Sequence, residues 1–154
     1  MKVLVFSFIL IFSMTGCTTT SEPAPIGTNK NILFRTIAQG QSSGLTREKF
    51  LTFRSIIDFA EFWNVHSRGN LASIPKINFE TQMVLAVFMG EKRTGGYAIR
   101  VEKIIEQEKR LRVGILVITP DADSARTMMI SQPYHIVVLP KINKPVEYSF
   151  RTNQ

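Results

Sequence analysis

One uninterrupted apolar run limits the folds open to this chain more than any other feature. Residues 83–90 read MVLAVFMG, with no polar side chain in the run. Side chains of a strand alternate between two faces, so a strand of this composition is stable only when both faces are covered. Exposure of either face would cost roughly 25 cal/mol for each Å² of apolar surface. The run therefore predicts a central strand with packed layers on both sides.

The rest of the chain supplies further strands and one helix. Segments that are β-rich or alternate apolar and polar residues predict strands at residues 31–40, 48–54, 97–104, 111–119, 134–140 and 145–150. Ser55, with Asp58 three residues later, resembles a capping box and begins a segment with apolar residues at helical spacing. Gly69 is a plausible end of this helix, and Trp63 is expected to anchor it in the core.

Short connections between consecutive strands favour antiparallel pairing. We therefore predict a single α+β domain over residues 32–154. Its mostly antiparallel sheet, sandwich-like or barrel-like, should contain about six to seven strands and be covered by the amphipathic helix.

The amino-terminal segment is typical of a bacterial lipoprotein signal peptide. Lys2 precedes an apolar run at residues 3–12, which suits the hydrophobic region of a secretory signal but is too short to span a bilayer. The following SMTGC resembles the lipobox, in which a small residue precedes a lipidated cysteine. Residues 1–16 are predicted to be the signal peptide and Cys17 the lipidation site, which would anchor the protein to a membrane. An ordinary signal peptide or a buried thiol in a short core helix are the alternatives.

Residues 17–31 are predicted to form a flexible tether, because they are rich in threonine, serine, proline and glycine. The expected location is the bacterial cell envelope. By analogy with lipoproteins of two-membrane bacteria, Thr18, in place of an aspartate after the cysteine, favours the outer membrane, with the domain facing the periplasm.

The formal net charge of +7 comes from scattered cations, without a basic block. An exported, anchored protein has little reason to meet nucleic acid, so nucleic acid is not expected as a partner. An acidic protein, a membrane surface or simple solubility accounts for the charge.

No sequence pattern predicts catalysis, a metal site or a cofactor. His66 and His135 lack the spacing of zinc ligands and are expected at the surface or at a helix end. PDADSAR, at residues 120–126, lacks the glycine and glutamate of a calcium loop, and KRTGG lacks the spacing of a phosphate loop. Cys17 is the only cysteine, so the mature domain has no internal disulfide.

The segment EKRTGG, residues 91–96, joins two predicted strands and has two interpretations. As a hairpin turn it would use Gly95 and Gly96 for backbone angles that side chains resist. As a recognition loop it would also use its cations and the tyrosine that follows to bind a partner. The residues predicted to bind a partner here are Lys92, Arg93, Thr94, Gly95, Gly96 and Tyr97.

Residues 79–140 resemble the PrcB C-terminal domain family, whose name refers to a protease complex subunit. The resemblance rests on VLAVFMGEKRTGGYAIRVEKI, then a strand, Pro120 and SQPYHIVVLP. The hallmark is a G-x-x-x-TGGY-type stretch entering a strand, although Arg93 stands where proline is common.

The resemblance implies a non-catalytic protein-binding domain, often exported or lipid-anchored, that associates with a protease and supports its maturation or stability. It also implies that SQPY, which contains Pro133 and Tyr134, is a second binding loop. The two loops are similar in character to those of chagasin-like cysteine-protease inhibitors, which are immunoglobulin-like sandwiches. The alternative function is therefore protease inhibition through residues 94–97 together with Pro133 and Tyr134.

Overall fold

The computed structural model describes residues 29–69, 74–121 and 127–153. The predicted signal peptide, Cys17 and most of the predicted tether lie outside the described residues. The described part contains eight strands and one helix. In chain order they are β1 (Lys30–Asn31), β2 (Arg35–Gly40), β3 (Glu48–Phe53), α1 (Ile56–His66), β4 (Gln82–Met89), β5 (Ala98–Glu106), β6 (Leu111–Ile118), β7 (Tyr134–Pro140) and β8 (Val146–Thr152).

The strands form two four-stranded sheets that pack face to face. The first sheet has the order β1-β5-β6-β8, and the second has the order β2-β7-β4-β3. All neighbouring strands are antiparallel except β6 and β8, which are parallel. The predicted mostly antiparallel α+β fold is confirmed, and of the two forms left open it is the sandwich rather than the barrel. The strand count is eight rather than six to seven, because residues 31–40 contribute one strand to each sheet.

Strand β4 is central and buried on both faces, as its composition predicts. It lies between β3 and β7, and every side chain from Met83 to Met89 is buried. Leu85 and Val87 belong to the core between the sheets. Ala86 and Phe88 belong to a second core, which is covered by the helix. The domain therefore has three layers, with β4 in the middle layer.

Helix α1 covers the outer face of the second sheet. Its N-cap is Ser55, whose Oγ accepts a hydrogen bond from the backbone N–H of Ile57 at 3.1 Å. Phe59 and Trp63 are its buried core residues, so the predicted helix, cap and tryptophan anchor are confirmed. Gly69 follows the helix with a φ of 89°, as expected of a helix stop. Among the described residues, no helix is long and apolar enough to cross a membrane.

Both histidines are buried. The helix-end position predicted for His66 is confirmed, whereas His135 lies inside the domain rather than at the surface. His66 is the last residue of α1 and packs against Trp63 and Tyr134. His135 lies on β7 and joins the sheets: its Nδ1 accepts a hydrogen bond from the backbone N–H of Val101 at 2.9 Å. Its Nε2 lies 2.7 Å from Thr36 Oγ1. Val101 precedes an irregularity in the pairing of β5 with β6, and the imidazole supplies the acceptor for its amide.

Candidate protein-binding face

Two loops lie side by side at one end of the sandwich. We call residues 90–97, between β4 and β5, the TGG loop, and residues 127–133, before β7, the second loop. The backbone N–H and C=O of Lys92 are paired with those of Ser131 at 2.8 and 2.9 Å. Gly95 N donates to Thr127 O at 3.0 Å, and Ser131 Oγ donates to Thr94 O at 3.0 Å. The TGG loop and the second loop therefore form a short antiparallel ribbon, which includes Ser131 of the sequence-predicted SQPY segment.

The glycines of the TGG loop have two different physical roles. Gly96 has a φ of 90°, a region that L side chains rarely adopt, and a Cβ there would lie 2.8 Å from Pro120 Cβ. Gly95 does not have a positive φ, contrary to the expectation. Its backbone instead passes so close to Thr127 that a Cβ would collide with the threonine hydroxyl. One glycine is required by conformation and the other by close approach of the second loop.

The cations of the TGG loop differ in their environments. Arg93 is exposed, whereas Lys92 is half-buried and its Nζ lies 5.7 Å from the centre of the Tyr97 ring. That distance is within the range of a cation–π contact. Tyr97 is itself half-buried against the core between the sheets, and its backbone oxygen accepts from Gln41 Nε2 at 3.0 Å. Lys92 and Tyr97 are thus held in place, and Arg93 is free to meet a partner.

Pro133 and Tyr134 do not join Tyr97 on one surface. Pro133 is buried, and Tyr134 is half-buried on the helix side of the second sheet. The Tyr134 ring stacks on Phe88 and contacts the His66 ring edge-on, with ring centres 4.5 Å apart. Burial raises the pKa of the Tyr134 hydroxyl. Tyr97 packs against the opposite face of that sheet. The paired-loop arrangement of a chagasin-like inhibitor therefore gains no support from the positions of these side chains.

A feature that the sequence reasoning missed lies in the second loop. Met128, Met129 and Ile130 are 89%, 69% and 63% exposed, respectively. We call these three residues the apolar segment. The sequence signal for this surface is the apolar run MMI, residues 128–130, within an otherwise polar stretch. Contiguous exposed apolar side chains mark interaction surfaces more often than scattered ones do.

A buried amide holds both loops against the end of the helix. Gln132 is 9% exposed, and its backbone N–H donates to Gln41 O at 2.8 Å. Its side-chain Nε2 donates to Glu91 Oε2, and its Oε1 accepts from Arg68 Nη2, each at 3.4 Å. These contacts connect the TGG loop, the second loop and the residues after α1. The ribbon is thereby positioned before any partner arrives, which lowers the entropy lost on binding.

The described residues offer little for catalysis. No group of three His, Cys, Asp or Glu side chains in the described ranges lies close enough together to hold a metal ion. Ser43 Oγ and His66 Nδ1 are 3.2 Å apart, which is the spacing of a nucleophile and its base. However, Ser43 is 1% exposed and its hydroxyl also accepts from Leu45 N, so it is not presented to a substrate. We interpret this pair as a structural contact between the helix end and the β2–β3 connection.

A scan against protein families agrees with the resemblance seen in the sequence. The model of the family described as PrcB C-terminal matches residues 83–140, from β4 through the TGG loop to the end of β7. The predicted family resemblance is therefore confirmed for that part of the chain. A search of curated proteins found no match, and a search of solved structures found none either.

Proposed function

We propose that this protein is a lipid-anchored, non-catalytic binding domain that associates with an exported protease, or another protein of the bacterial cell envelope, and stabilises it. The observation that carries the proposal is the position of the family match. Residues 83–140 include the TGG loop and the second loop, which together form the candidate face, and the buried central strand that leads into the TGG loop. The match indicates a PrcB-like, protease-complex-associated domain, and the face supplies the exposed surface that such an association requires.

The direction in which the chain enters the domain supports presentation of this face away from a membrane. Strand β1 pairs with Ile105 and Glu106 at the far end of β5, whereas the TGG loop immediately precedes the start of β5. A strand rises about 3.3 Å per residue, so the nine residues of β5 separate the two ends by roughly 30 Å. A tether from Cys17 would join the domain at the end opposite the loops.

The proposal is tested by capturing partners with the full chain, tagged at its carboxyl terminus, from its own envelope extract. We expect mass spectrometry to identify a protease. The variant Lys92→Ala/Arg93→Ala should capture less of it, because rim cations raise the association rate and its salt sensitivity. The matched control is Lys103→Ala/Arg112→Ala, which removes two exposed cations from β5 and β6.

Either of two results would contradict the role of the face. The first is that the loop variant captures as much protease as the wild type in low salt. The second is that the amount of captured protease falls as far in the control variant as in the loop variant. Activity of the captured protease should persist in the complex, since a supporting module binds without blocking turnover. Loss of protease activity on binding would point to inhibition instead.

The anchor is tested separately. Cys17→Ser should abolish palmitate labelling, because Cys17 is the only cysteine of the chain and thus the only thiol acceptor. Labelling that survives the substitution would refute lipidation at this position. In a two-membrane host, Thr18→Asp should retain the protein at the inner membrane, and an unchanged distribution would refute sorting by that residue.

A further inference from the structure

We propose that the apolar segment is a strand-addition site that receives an extended, apolar segment of the partner protein with acidic residues on its flanks. This inference rests on the proposed function, since the partner is the protein bound there. It assigns the partner's contact to Met128, Met129 and Ile130, and it specifies the chemistry of the bound segment.

The backbone on either side of the apolar segment is fixed. Thr127 O accepts from Gly95 N, and Ser131 exchanges two backbone hydrogen bonds with Lys92. Between these points, the N–H and C=O groups of Met128, Met129 and Ile130 form no hydrogen bond with any described residue. A segment held at both ends, whose backbone groups in between form no hydrogen bond with the described residues, is a template for an added strand.

The side chains show that this template has no cover within the described part of the chain. Consecutive side chains of a strand point to opposite sides, so a strand already packed on the domain would bury at least every second side chain. Here all three are more than 60% exposed. Methionine is flexible and polarizable and is over-used at surfaces that adapt to bound segments. An added strand would pair the free backbone groups and cover apolar side chains on both sides of the ribbon.

Charge selects the kind of partner. Residues 92–95 and 127–131, which form the ribbon, contain two cations, Lys92 and Arg93, and no carboxylate. The carboxylate of the preceding Glu91 accepts a hydrogen bond from Gln132 Nε2 at 3.4 Å. A second copy of this chain would bring identical cations together, which is unfavourable. A partner segment with apolar residues at its centre would cover the exposed apolar side chains, and Asp or Glu on its flanks would pair with Lys92 and Arg93. A partner of that chemistry is therefore the occupant.

The test uses a phage-displayed library of random twelve-residue peptides as the probe and the full chain as the target. We expect enrichment of sequences in which apolar residues alternate and Asp or Glu stands on the flanks. For a synthetic peptide of the enriched sequence, N-methylation of alternate backbone amides along one edge should weaken binding at least about tenfold, since it removes strand pairing. Met129→Asp should weaken binding by a similar factor.

Two controls show whether the loss is local. Met129→Asp should unfold at the same temperature as the wild type, because the side chain is 69% exposed. Leu33→Asp is the matched change at another exposed apolar residue, 88% exposed between β1 and β2, and it should leave peptide binding unchanged.

The inference is overturned if no sequences are enriched, if enriched sequences lack acidic flanks, or if N-methylation along either edge has no effect. Protease capture separates this inference from the proposed function. A protease captured equally well by the wild type and by Met129→Asp overturns the inference alone. A chain that selects acidic-flanked peptides but captures no envelope protein overturns the proposed function alone.

Discussion

His135 is held between the two sheets as a neutral imidazole, and we expect the free energy of unfolding to fall when the pH is lowered from about 6.5 to about 4. Burial is the main cause that lowers its pKa from 6.5 to about 4, and the positive charge of Arg100 contributes. Nδ1 accepts the N–H of Val101, so Nε2 carries the proton that faces Thr36. A second proton on Nδ1 would point at another donor.

The size of the effect follows from linkage. Between the two pKa values the unfolded chain binds a proton that the folded chain does not, so stability decreases by up to about 1.4 kcal/mol per pH unit. Over the whole interval the loss is about 3 kcal/mol, because the pKa of His135 falls from 6.5 to about 4 on folding. The contribution is complete above the unfolded pKa, is lost progressively as the pH falls, and changes no further below the folded pKa.

Urea unfolding of the wild type and of His135→Gln at several pH values between 7 and 4 tests this reasoning. The glutamine amide can still accept from Val101 and donate to Thr36, but it does not titrate. Burial also lowers the pKa of His66, and Arg151 and Lys144 lower the pKa values of Glu102 and Glu106, respectively. These groups are present in both proteins, so the difference between the two free energies isolates His135. A difference that stays constant from pH 7 to pH 4 would refute the buried neutral imidazole.

Three further predictions concern single side chains. Ala86 is fully buried, so Ala86→Asp should prevent folding. Arg100→Asp on the exposed face of β5 should instead change the free energy of unfolding by under about 0.5 kcal/mol near neutral pH. Equal urea midpoints for these two variants would contradict the prediction. Gly96→Val should destabilise by at least about 1 kcal/mol because of its positive φ and the nearby Pro120, and an unchanged melting temperature would show that the loop tolerates a side chain. Tyr97→Ala should cost about 1–3 kcal/mol in thermal unfolding because the ring is half-buried against the core, while Tyr97→Phe should keep most of the stability. A Tyr97→Ala variant that melts like the wild type would place the ring outside the core.

The layered core could be predicted from the sequence because it depends on the composition of short local segments. The run around Ala86 contains no polar residue, and this alone requires cover on both faces. Ser55 likewise precedes an apolar stripe at helical spacing, and the helix begins there. Such features depend on residues within a few positions of one another, so they are visible without knowledge of the rest of the fold.

The assignment of strands to sheets could not be predicted in the same way. Residues 31–40 are β-rich throughout, yet the chain leaves the first sheet after Asn31 and enters the second at Arg35. The parallel pairing of β6 with β8 likewise depends on the chain crossing back from the second sheet to the first after β7. These choices depend on packing between distant segments, which a local pattern does not record.

The candidate face was predicted in part. The cations and glycines before Tyr97 drew attention to the TGG loop, and the structure places the second loop beside it. The exposure of Met129 was missed because an apolar side chain in a sequence is ordinarily expected inside. Its location between polar residues in a long loop was the available signal. The separation of Tyr97 from Tyr134 could not be foreseen, since it depends on which face of the second sheet each ring meets.

The central position of β7 has a consequence for the way in which the chain folds. Strand β7 joins β2 to β4, and its register pairs Val138 with Arg35, which was synthesised about a hundred residues earlier. Pairings this distant in sequence form slowly. Until residue 134 has emerged, β4 has β3 as its partner and presents the unpaired backbone groups of its other edge, along a strand that is apolar from Met83 to Met89. A nascent chain of this protein therefore depends on protection from aggregation until almost its last strand, and a truncation before residue 134 should be far more damaging than loss of β1.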